Sequence, residues 1–144
     1  MAQMTKAPTW FSVAVMVGLV WNVFGVIQFL GGVGRSMDDY IAQGMPAPQA
    51  EAMASYPVWI DAAFALGVLC GTVGCILILM RKPACVPVLA ASLAGVVAMM
   101  AGNAAVGLFD VMGAQRFWTV AFTVAVAAML LSLALFAKAR RIIV

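Results

Sequence analysis

The chain has 144 residues, of which 66% are hydrophobic and 9% charged, with a formal net charge of +3 and a mean hydropathy of +1.11. That length suits one domain, and that composition excludes an ordinary soluble one, so the reading is an integral membrane protein. The eight Lys and Arg residues flank apolar runs and never gather with aromatics into a basic patch, which argues against a nucleic-acid partner.

A helix that crosses hydrocarbon needs about 20 mostly apolar residues, because its backbone amides find partners only within the segment. Four stretches meet this length: 10–31, 57–80, 85–109 and 117–137. The first follows Lys6, as a signal peptide would, but its apolar run is too long and "GGVGRS" offers no small-x-small cleavage pattern. The connections after the second and third spans, "RKPA" and "DVMGAQR", are short and force antiparallel neighbours. The predicted fold is therefore all-α: a single transmembrane domain over 1–144, an up-down-up-down four-helix bundle.

The long connection, 32–56, should carry short interfacial helices. "SMDDYIAQ" opens with Ser36 and Asp39 at capping-box spacing, and "QAEAMASY" places Ala50, Met53 and Ala54 on one side. Such pieces would lie on the outer surface as a cover or a lid. The second span then opens "SYPVWID": Ser55 is the expected N-cap and Pro57 suits the first turn. Asp61 falls about one turn inside, roughly 6 Å below the outer end at ~1.5 Å per residue, close to the positive end of the helix dipole.

Charge distribution sets the expected orientation. With the N-terminus cytoplasmic, that side holds Lys6, Arg81, Lys82, Lys138, Arg140 and Arg141, and the far side holds only Arg35 and Arg116. The expected location is a bacterial inner membrane with both termini cytoplasmic. Trp10, Trp59 and Trp118 fall at span ends, where indole rings anchor the interface. Trp21 lies deeper, where its N–H would want a partner.

Lipid gives no hydrophobic drive for helix association, so small residues that admit close backbones must supply contact. Ala63, Gly67, Gly71 and Cys75 form such a seam in the second span. Ala94, Ala98 and Gly102 form one in the third, and Gly18 with Asn22 contributes from the first. The second and third spans are expected to pack tightly. Cys70 and Cys75 sit five apart on one helix, on different faces, so all three cysteines, Cys85 included, are taken as small packing residues.

Buried polar side chains are the pointers to function in a membrane. Counted from the outer ends, Gln28, Asp61, Asn103 and Thr119 or Thr123 lie at similar shallow depth, a candidate ligand cluster open to the outer side. Alternatively, each is an interhelical hydrogen bond, and Asp61 is a helix-start carboxylate, hydrated or paired with Arg116 or Arg35. There is no histidine, no Cys/His cluster, no paired acids within a span and no phosphate loop, so no metal, no cofactor and no enzyme activity are expected. A sugar path would need more converging donors and acceptors than these.

"WNVFG", "YPVWIDAAFALGVLCGTVGCILILMRK" and "ASLAGVV" resemble a family of small four-helix proteobacterial inner-membrane proteins whose members often carry the label "sugar transporter". Trp21-Asn22, Tyr56-Pro57 with Trp59, and Arg81-Lys82 carry the likeness; the outer loop and "DVMGAQRFW" fit it less closely. The resemblance implies the fold and the location. The functional expectation is an accessory or assembly subunit of a larger membrane complex, such as a respiratory or photosynthetic one, with the bilayer and other membrane subunits or itself as partners. The alternative is a small-solute or cation transporter with its site around Asp61.

Overall fold

A computed structural model describes residues 6–143. Among them the elements are α1 (Thr9–Gly32), α2 (Met37–Ala42), α3 (Ala47–Ala54), α4 (Val58–Leu79), α5 (Cys85–Ala105), α6 (Leu108–Met112) and α7 (Ala114–Ala139). The fold is an all-helical membrane bundle in which α1, α4, α5 and α7 are each long and apolar enough to cross a bilayer.

Helix boundaries follow local chemistry. Pro8 and Pro57, held extended, start α1 and α4, and Pro87 sits in the first turn of α5, where its missing N–H leaves no bond unmade. The expected third span, 85–109, is broken: Gly107 takes φ of +67°, ends the helical run and starts α6 as a separate piece. Gly113, at φ +80°, then launches α7 three residues ahead of the expected 117. Ser55 is not the N-cap of α4. Its Oγ donates back to Glu51 O at 2.8 Å and so closes α3, and Pro57 takes the cap position. In the long connection, Ser36 and Asp39 form the expected reciprocal capping box: Ser36 N–H donates to Asp39 Oδ2 at 2.8 Å and Asp39 N–H to Ser36 Oγ at 3.3 Å.

The long helices alternate in direction. One cluster joins Phe11 of α1, Ile78 of α4, Cys85 of α5 and Ala137 of α7, and a second joins Ile60, Met99 and Val120 at the opposite end. Lys6, Arg81, Lys82, Lys138, Arg140 and Arg141 therefore share one end, here the basic end, and α2, α3 and α6 cap the other, the loop end.

α4 and α5 make the most extensive contact. A Cβ added at Gly95 would lie 2.8 Å from both Ala63 O and Gly67 N, so these two backbones touch. Ser92 Oγ donates across the same seam to Gly67 O at 2.6 Å. The packing face of α5 is Ser92, Gly95, Met99 and Gly102. Ala94 is exposed, a correction to the expected Ala94–Ala98–Gly102 row. The cause is rotational: one position along a helix turns the face by about 100°, and Ala and Gly occupy both candidate rows. Gly71 faces α1, where Asn22 presses on it and donates from Nδ2 to Gly18 O at 2.8 Å. Gly18 in turn faces Leu130 of α7, and Gly102 faces Trp59 and Ile60. Around the bundle the order is α1, α4, α5, α7, and the α7–α1 edge is the lightly packed one.

Candidate functional site

At the loop end, the light α1–α7 edge leaves a cavity of about 250 Å³. α1 lines it with Trp21, Phe24, Gln28 and Phe29, α4 with Asp61 and Phe64, and α7 with Arg116, Thr119 and Thr123. Tyr40 of α2, Met53 of α3 and the connecting Tyr56 also line it, so the short helices contribute to its wall.

Gln28, Asp61, Thr119 and Thr123 are thus brought to one cavity from three helices. Thr119 and Thr123 each donate to their own helix, to Gln115 O and Thr119 O at 2.9 Å, which leaves hydroxyl lone pairs to accept. Asn103 does not join them. It is fully buried behind the wall, donates from Nδ2 to Met99 O at 2.8 Å and accepts from Tyr56 Oη–H at 2.9 Å. Its role is to hold Tyr56 in place.

Arg116 is the residue that reasoning from depth passed over as a site member. Its charge acts on Asp61, yet no hydrogen bond joins the two, and its Nε is buried with no hydrogen-bond partner. A buried guanidinium nitrogen without a partner costs on the order of 1–3 kcal/mol. The signal was present in the chain: Arg116, Thr119 and Thr123 recur at i, i+3 and i+7, one face of α7. Arg35 also lines the cavity, its guanidinium 6.0 Å from the Tyr40 ring centre. The fixed charges facing the space are therefore two arginines and one carboxylate.

The remaining candidates are structural. Trp21 packs edge-on against Phe122 at 4.7 Å between centroids. Trp10, Trp59 and Trp118 are more than half exposed at helix ends. Cys70, Cys75 and Cys85 are free. Among the described residues no group of three or more His, Cys, Asp or Glu side chains is placed to hold a metal ion. Compared with protein-family models, with curated proteins and with solved structures, the chain matches none of them.

Proposed function

We propose that this chain is a non-enzymatic membrane protein that binds a small solute bearing an anionic group in the loop-end cavity. The observation that supports the reading is that Arg116 and Asp61 line one cavity unjoined, with Arg116 Nε lacking any partner. An anion in the cavity would draw charge-assisted bonds from the guanidinium of Arg116, which lines it, while Gln28 and Thr123 offer orienting contacts. Two arginines against one carboxylate disfavour a bare cation, so the cation reading yields to an anion or a zwitterion whose amine meets Asp61. The lack of any histidine removes the usual general base and supports binding over catalysis.

The accessory-subunit reading takes second place. Its motive was an abundance of small-residue helix faces, and Gly18, Gly67, Gly71 and Gly95 all face neighbours within the chain. The six cations at the basic end favour a cytoplasmic position for that end in a bacterial inner membrane, which turns the cavity outward.

Titration calorimetry with sn-glycerol 3-phosphate, and glycerol as the neutral control, tests the binding. The phosphate should bind and glycerol should not, and Arg116→Gln should weaken the phosphate about tenfold, the equivalent of ~1.4 kcal/mol. Equal behaviour of the two probes, or an unaffected variant, would remove the reading.

A further inference from the structure

The hydroxyls of the loop-end cavity have already committed their protons. Thr119 Oγ donates to Gln115 O and Thr123 Oγ to Thr119 O, both at 2.9 Å, and Tyr56 Oη donates to Asn103 Oδ1 at 2.9 Å. What each hydroxyl still offers is lone pairs. Arg116 supplies only hydrogen-bond donors, and its hydrogen bonding reaches Tyr56. Thr119 and Thr123 therefore join the Asp61 carboxylate as acceptors in the wall, opposed by the donors of Arg116 and the Gln28 amide.

The charges sort in the same way. The Arg35 guanidinium lies 6.0 Å from the Tyr40 ring centre, and its charge acts on Asp39 of α2. That leaves one guanidinium, Arg116, and one carboxylate, Asp61, which feel each other yet share no hydrogen bond. Opposite charges influence one another most strongly within about 4–6 Å. A molecule with a carboxylate and an ammonium on one carbon can sit in such a gap and give each charge its opposite. Rings make much of the remaining wall: Trp21, Phe24, Phe29 and Phe64, with Phe29 and Phe64 edge-on at 6.3 Å between centroids. The space is also bounded. A second, apolar hollow of about 660 Å³ occupies the other half of the α1–α7 edge and shares only Trp21 and Phe24 with the cavity. The Trp21–Phe122 contact stands between the two. At about 250 Å³ the cavity lies below the ~300–1,000 Å³ range of drug-sized sites, which suits a small metabolite.

Resting on the anion reading above, we propose that the ligand is an α-amino acid with an apolar side chain, its carboxylate on Arg116 and its ammonium among Asp61, Thr119 and Thr123. A primary ammonium carries only donors, which matches a set of groups that can only accept. A quaternary ammonium has no N–H for those lone pairs, and a simple anion leaves Asp61 facing a like charge. The aromatic wall takes the side chain.

The experiment is titration calorimetry on the full chain in phosphatidylcholine nanodiscs, with empty nanodiscs as the blank. The probes are L-leucine, isocaproate, which is leucine without its amine, and isoamylamine, which is leucine without its carboxylate. Leucine should bind several-fold more tightly than either. Asp61→Asn should weaken leucine and strengthen isocaproate, reversing their order, because a neutral amide no longer repels a carboxylate. Thr123→Val keeps the shape and removes the lone pairs, so it should narrow the leucine preference, and it covers a poorly folding Asp61→Asn. Isocaproate binding as tightly as leucine in the unaltered chain overturns the amino acid and leaves the anion reading standing. A leucine preference that survives both variants has the same meaning, as does binding of glycerol phosphate without leucine. Isoamylamine as the tightest probe overturns both readings, and so does binding of no probe, glycerol phosphate included.

Discussion

Where α4 meets α5, Gly67 and Gly95 let two backbones touch and Ser92 bonds across them. Where α1 passes α7, contact is made by Trp10 and Phe11 against Phe136 at the basic end, Gly18 against Leu130, and Trp21 against Phe122, and Val13, Val17 and Met129 stand along an open groove. Both pairs are strongly apolar, so hydrophobicity does not separate them. Side-chain size does: in lipid, the helices that close are those whose facing residues are small enough for backbone contact, and bulky residues leave hollows. A bundle with one sealed seam and one loose edge gains a recess without weakening its strongest interface.

Gly95→Ala strikes the seam and should have the largest effect. Its Cβ would lie 2.8 Å from backbone atoms of Ala63 and Gly67, which cannot rotate away, so α4 and α5 must separate. A loss of about 1–3 kcal/mol is expected in reversible unfolding in mixed micelles, and a neutral result would show that the backbones are not in contact. Ser92→Ala in the same assay should lose about 1 kcal/mol, the worth of an interhelical bond in a membrane. Val17→Leu on the loose edge should stay within about 0.5 kcal/mol. If it matched Gly95→Ala, the contrast between the two edges would be wrong.

The smallest effect concerns pH. Burial pushes the Tyr56 phenol above its ordinary value of 10.0, helped by the Asp61 charge, while the Arg116 charge and hydrogen bonding to Arg116 and Asn103 pull the other way. The folded chain then holds that proton more tightly than the unfolded chain. Its contribution is whole below about pH 10 and fades as pH climbs through the raised folded value. Tyr56→Phe should remove that part of the alkaline loss of stability, and Tyr40→Phe, the only other tyrosine, serves as the control.

The spans were legible because 20 apolar residues in a row have no other stable use, and the Ser36–Asp39 box because capping is local. The face of α5 was not, since Ala90, Ala91, Ala94, Gly95, Ala98 and Ala101 offer small residues all round and only the neighbour selects among them. The break at Gly107 was missed for a related reason: "VGLFDVM" is apolar enough to extend a span, and nothing in hydropathy reports a left-handed glycine. Counting depth set Gln28, Asp61 and Thr123 at one level, and the fold gathers them around one cavity. It misplaced Asn103, because depth says nothing about which way a side chain turns. Arg116 read as an end charge and as one possible partner for Asp61, and the folded geometry adds that it lines the cavity itself.

Because Trp21 and Phe24 belong to both walls, a change at either ring alters the charged recess and the apolar hollow together. Trimming the Trp21 indole would merge two spaces that its packing on Phe122 now holds apart.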